Sequence, residues 1–177
     1  MHADSRPGSI AVHTRLPGGS HTVHDARRVA GPHRGLPSWA WLVARGLGAG
    51  ALLVAGAVHL QQYFGPYSAI PTIGTLFLVH FGAATAIGLA LLAPLEHVAG
   101  RWAGALVALA SAAGIALAGG SFVMLVVSER GPLFGFQEPG YDPSAIALTR
   151  ASEIAAVILL GSSLAARFAT ATRKARW

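Results

Sequence analysis

Four side chains sit where chemistry would be unusual: His59, His80, Arg150 and Glu153 fall inside, or at the edge of, stretches that are otherwise apolar. An ionisable group at the centre of a hydrocarbon layer costs about 2.5–3.5 kcal/mol on insertion scales, so it normally faces a partner or a cavity. Helix rise, about 1.5 Å per residue, gives their depths: His80 roughly 13 Å in from Pro71, Arg150 roughly 10 Å and Glu153 roughly 15 Å in from Pro143. His80 and Glu153 thus reach similar levels if their helices start at similar heights. A histidine beside a buried carboxylate can shuttle protons or hold a polar ligand. The pattern predicts a polar pocket in the outer half of a helix bundle. His80, Glu153 and Arg150 form its floor, and His59, Gln61, Gln62, Tyr63 and the connection 129–142 form its mouth. A local arrangement competes with it. Arg150 and Glu153, three residues apart on one helix, can neutralise each other, and His80 can bond to a hydroxyl or carbonyl of a neighbouring helix.

The same depths argue against a metal. His59 and His80 differ by roughly 7–8 Å, too far for two ligands about 2 Å from one ion unless their helices are offset. A haem held by both histidines spans more distance but needs room that a short chain does not advertise. His21-x-x-His24 supplies half a ligand set and no third member. There is no Gly-x-Ser-x-Gly elbow, phosphate loop or His-Glu-x-x-His. Cysteine is absent, which excludes disulfides, thiolate metal sites and thiol nucleophiles. The expectation is therefore no enzyme, no catalytic residue, no cofactor-binding residue and no metal ligand.

The elements that must position these groups are membrane spans. Of the 177 residues, 53% are apolar and only 11% charged, far from the roughly 25% charge of a soluble domain. No Asp, Glu, Lys or Arg occurs from Gly46 to Leu95, and the polar, Gly-Pro-broken stretch Gln61–Ser68 divides that interval. A second charge-free interval runs from Trp102 to Ser128. A hydrocarbon core takes roughly 20 helical residues, so the spans are 38–62, 71–95, 102–128 and 143–168. The last needs Arg150 and Glu153 inside it to reach sufficient length, and Asp142-Pro143 suits its start as a cap followed by a first-turn proline. The fold class is all-α: a four-transmembrane-helix bundle, up-down-up-down. Residues 1–37 form a basic tail with little to bury, expected to be disordered, and 169–177 form a basic C-terminus.

Charge sets the orientation. Arg6, Arg15, Arg27, Arg28 and Arg34 precede the first span, and Arg167, Arg173, Lys174 and Arg176 close the chain. The positive-inside rule places both termini in the cytoplasm of a multi-pass cell-membrane protein. The net charge of +6 then reports topology rather than nucleic-acid binding. Small residues four apart, Gly46/Gly50, Gly82/Ala86/Ala90 and Ala112/Ala116/Gly120, offer flat stripes for close helix packing within the bundle or in a homo-oligomer.

The segment His59-Leu60 followed by Tyr67-Ser68-Ala69-Ile70-Pro71-Thr72-Ile73-Gly74-Thr75-Leu76-Phe77-Leu78 resembles a family of small, uncharacterised four-span membrane proteins of actinobacteria. The resemblance covers the four-helix region, excludes the tail, and implies a fold and a membrane location without an activity. The reading that follows is a non-enzymatic integral membrane protein in the lipid bilayer: an accessory or scaffold subunit whose outer polar cap meets a membrane-protein partner or a ligand. The alternatives are a small proton-linked transporter using His80 and Glu153, and a haem-binding redox protein using His59 and His80. If the topology is right, the full-length chain stays out of the aqueous fraction without detergent. A C-terminal fluorescent-protein fusion glows in intact cells, whereas an active C-terminal alkaline phosphatase fusion would contradict it.

Overall fold

A computed structural model describes residues 39–174. The tail 1–37 with its His21-x-x-His24, the expected span start at Ser38 and the extreme C-terminus 175–177 lie outside the described residues. The elements are α1 (Ala40–Tyr63), a 3-10 turn (Pro66–Ala69), α2 (Pro71–Leu92), a short α3 (Leu95–Val98), a second 3-10 turn (Gly100–Trp102), α4 (Ala103–Arg130) and α5 (Pro143–Lys174). Four of these helical stretches are long and apolar enough to cross a membrane. The chain is an integral membrane protein built as an all-α four-helix bundle.

Small side chains take much of the interior, and many large ones face outward. Leu109, Val79 and Ile158 are 60% or more exposed, while Ala49, Ala55, Ala84, Ala118 and Ala156 are fully buried. Lipid is as apolar as leucine, so nothing drives large side chains inward, and close backbone approach holds the helices together instead. α1 packs chiefly on α2 and α5, and α4 closes the ring against α5 and α2. A core of Ala49, Leu52, Leu91, Val107, Ala118, Ala156 and Leu160 fills the half of the bundle nearer α3. There Arg45, buried within α1, pairs with Glu96 of α3 at 2.8 Å, so this intramembrane cation is neutralised by a connecting loop.

The close approaches differ from the expected stripes. A Cβ on Gly46, Gly50, Gly82 or Gly120 would meet nothing within 4 Å, and Ala86, Ala112 and Ala116 are exposed. The packing glycines are instead Gly48 and Gly114 against Leu160, Gly56 against Ala84, and Gly88 against Leu53. Spacing alone cannot choose between faces of a helix that is small and apolar all round. α2 ends at Leu92 rather than 95, because Pro94 forces Ala93 into extended backbone (φ −62°, ψ 145°). α5 begins where expected, on Asp142-Pro143, and runs on past 168.

Gly74 explains part of the Tyr-x-x-Ile-Pro-x-Ile-Gly stretch. Its amide bonds to the Ile70 carbonyl at 2.8 Å, and a Cβ there would sit 2.8 Å from the Tyr67 carbonyl oxygen and 3.3 Å from Ser68 Cα. Both neighbours are backbone and cannot swing away, so only glycine lets the 3-10 turn fold against the first turn of α2. Gly74→Ala should cost about 1–3 kcal/mol through overpacking, read as a lowered Tm in detergent. Gly119→Ala, where a Cβ meets nothing within 4 Å, should leave Tm nearly unchanged.

Candidate functional site

Helical phase brings the polar groups inward. On α1, His59 continues the buried row of Leu52, Ala55 and Gly56. On α2, His80 precedes Ala84, Gly88 and Leu91 on one face. On α5, Glu153 shares the inward stripe with Thr149, Ala156, Leu160 and Ser163. α4 adds Ser121.

The His59 and His80 rings stack with centroids 3.8 Å apart and 14° between planes, and Phe77 meets His59 edge-on at 4.9 Å. His59 Nδ1 lies 2.9 Å from the Ala55 carbonyl. A carbonyl only accepts, so Nδ1 carries the proton, and in the neutral ring Nε2 keeps its lone pair. Ser121 Oγ is 3.3 Å from that Nε2. His80 Nε2 and both oxygens of Glu153 are buried and have no hydrogen-bond partner. One ligand-type atom from each of His59, His80 and Glu153 lies within 4.8 Å of the others.

Above these groups opens a cavity of about 310 Å³. His59, His80 and Ser121 line its floor. Tyr67, Phe77, Met124, Leu133 and Phe136 form apolar walls, and Gln62, Glu138 and Asp142 stand at the rim. Glu153, fully buried, lies behind the floor.

The connection between α4 and α5 is a cap with its own fold. Leu133 and Phe136 exchange two backbone bonds, Leu133 N to Phe136 O at 2.7 Å and the reverse at 3.0 Å. Phe134 and Gly135 between them both have positive φ (52° and 79°), which makes a tight type I′ turn. Glu138 latches the cap. One carboxylate oxygen accepts the Tyr67 hydroxyl at 2.6 Å, and the other accepts the Gly140 amide at 2.8 Å and the Tyr141 amide at 3.3 Å. Burial first, then the bond to Glu138, pushes the Tyr67 hydroxyl well above the usual tyrosine range, so it stays a donor. Asp142 ties the cap to α1 and starts α5: its carboxylate accepts Ser144 Oγ at 2.6 Å, the Ala145 amide at 3.0 Å and Gln62 Nε2 at 2.9 Å.

Several expectations change. Arg150 does not join the floor and does not pair with Glu153; it turns to Glu129 on α4 in an ion pair. The competing arrangement gave His80 a bond to a hydroxyl or carbonyl of a neighbouring helix, and its Nε2 makes none. His59 belongs to the floor, not the mouth. If His59 lies about 6 Å inside Tyr63 and His80 about 13 Å inside Pro71, their stacking requires α2 to begin roughly 7 Å beyond the end of α1, an offset the Pro66–Ala69 turn supplies. With the helix ends offset in this way, the two imidazoles lie at one depth, close enough to share an ion. Gln61 is exposed and Tyr63 packs against Phe64, so of the expected mouth residues beside the connection only Gln62 remains. A haem iron between His59 and His80 would need the rings on opposite faces of a porphyrin, which stacked rings at 3.8 Å do not allow. Tyr67, Ser121 and Glu138 carry no sequence signal of their role beyond helical phase for Ser121.

Comparison with family models, with curated proteins and with solved structures finds no match. Fold and site together define a class: a four-span integral membrane protein with one loop-capped cavity, among the described residues, that ends on two buried histidines with a buried carboxylate behind them.

The Asp142 carboxyl is held down at about 2, from 3.8, by Ser144 first, then the Ala145 amide and Gln62. A depressed carboxylate stabilises above its unfolded value and loses that contribution as pH falls through the folded one. Hydrogen exchange in residues 131–142 should therefore stay slow down to about pH 3.8 and quicken towards about pH 2. In Asp142→Asn that acid-induced step should be absent.

Proposed function

We propose that this is a non-enzymatic membrane subunit that binds a small, mainly apolar molecule with a polar end in the capped cavity. The carrying observation is the cavity itself: aromatic and aliphatic walls above a polar floor of His59, His80 and Ser121. That is the usual build of a small-molecule site, and about 310 Å³ falls at the lower end of the roughly 300–1,000 Å³ such sites span. An apolar body would lie against Phe77, Met124 and Phe136, and the polar end would meet the imidazoles and the Ser121 hydroxyl. With both termini cytoplasmic, the cavity opens at the outer face of the cell membrane, where the cap is also placed to meet a partner protein.

The proton-linked carrier reading gains support from the nearness of His80 and Glu153. It meets an obstacle in the packed core of Leu52, Leu91, Val107 and Leu160 beyond the floor. A carrier must open on both sides, whereas a binding subunit needs one mouth.

The test uses the full chain in lipid nanodiscs with a diazirine-bearing aromatic amphiphile as the photoactivatable probe. Labelling should concentrate on Met124, Leu133 and Phe136. In Gly120→Trp, which fills the cavity, it should fall about tenfold, the equivalent of about 1.4 kcal/mol, while labelling of outward-facing Leu109 stays constant. Equal labelling of the two proteins, or pH-driven uptake by proteoliposomes that Glu153→Gln abolishes, would overturn the one-mouthed binding subunit.

A further inference from the structure

We propose that His59, His80 and Glu153 form a binding site for one divalent transition-metal ion at the floor of the cavity. The site goes beyond the cavity's proposed ligand and does not depend on it. Three helices each contribute one residue, and the three potential ligand atoms lie within 4.8 Å of one another. Each is more than nine-tenths buried: His59 is 7%, His80 6% and Glu153 0% exposed.

Both Glu153 oxygens and His80 Nε2 lack a well-formed hydrogen bond, and the one donor near the carboxylate, the Ser121 hydroxyl, carries no charge. A buried carboxylate needs compensation, because taking a charge out of water costs several kcal/mol even after relaxation. The cations at membrane depth are committed elsewhere, Arg150 to Glu129 and Arg45 to Glu96. A divalent cation supplies charge and coordination to the carboxylate at once.

The donor set selects the ion's class. Two imidazole nitrogens and one carboxylate oxygen suit zinc, iron(II), cobalt or nickel, while the absence of a thiolate or thioether in the trio disfavours copper(I). The Nδ1–H of His59, bound to the Ala55 carbonyl at 2.9 Å, plays the orienting part that metal-bound histidines commonly show, leaving Nε2 as the ligand atom. Three protein ligands leave a fourth tetrahedral position open.

The geometry also states what binding must change. Tetrahedral ligands about 2.1 Å from an ion lie roughly 3.4 Å apart, so the trio must close in by up to about 1.4 Å from the 4.8 Å limit. Stacked rings aim their in-plane lone pairs side by side rather than at one point. The His80 ring must therefore turn out of the stack, and no hydrogen bond at Nε2 holds it there.

The test is titration of detergent-solubilised full-length chain with Co²⁺ alone, followed by its visible ligand-field absorption and by calorimetry. The parent for all variants carries His2, His13, His21, His24 and His33 as Asn, which removes adventitious ligands in the tail. One Co²⁺ per chain should bind saturably, and Zn²⁺ should displace it. His80→Gln and Glu153→Gln should each weaken binding more than about 100-fold, beyond the loss typical for outer-shell partners. Glu153→Gln keeps the side chain's shape, and its circular dichroism and Tm without metal establish that it is folded. No saturable binding by the parent, or undiminished binding by a folded Glu153→Gln, would overturn the site.

Discussion

A carboxylate buried among four apolar helices is the constraint around which this molecule is arranged. Glu153 is fully enclosed, and neither of its oxygens makes a well-formed hydrogen bond, the Ser121 hydroxyl being the donor nearby. The nearest cation by sequence, Arg150, is one helical turn away and still turns aside to Glu129. The choice is physically reasonable. Glu129 lies at the end of α4, close to the membrane boundary, where the ion pair is about one-third exposed and costs less desolvation. A pair with Glu153 would drag the guanidinium into the dry centre. The consequence is a division of labour along one helix: Arg150 fastens α5 to α4, and Glu153 is left to the histidines.

Arg45 shows how the same fold treats a structural charge. It too is buried, but Glu96 bonds it at 2.8 Å and the Trp41 ring lies 5.5 Å from its guanidinium. The bundle is thus able to neutralise an intramembrane ion when position is all that matters. At the other end it leaves His80 Nε2 and both Glu153 oxygens without a hydrogen bond, beside a cavity open to one face.

The cap keeps that cavity ordered. Glu138 collects three donors, including the buried Tyr67 hydroxyl, and Asp142 collects three more. Tyr67 in turn stands against Phe77 at 4.8 Å and Phe136 at 5.9 Å. The two carboxylates thus tie the cap to the Pro66–Ala69 turn, to the end of α1 and to the start of α5. The Gly74 close approach fixes the turn that carries Tyr67, which gives the Tyr-x-x-Ile-Pro-x-Ile-Gly pattern a structural purpose at this rim.

Composition and charge gaps in the chain itself determined the four spans, the break at Gly65-Pro66 and the start of α5 on Asp142-Pro143. They rest on local rules, since a helix in lipid must satisfy its own backbone and stop where it cannot. The same rules singled out His80 and Glu153 as neighbours in depth. Tertiary structure alone decided the partners. It chose Glu129 over Glu153 for Arg150, stacked His59 on His80 through an offset between α1 and α2, and put Gly48 and Gly114 at contacts in place of the more regular stripes. Those choices depend on how far one helix slides and turns against the next. In a chain whose helices are small and apolar on nearly every face, the sequence does not encode that rotation in its hydrophobic pattern.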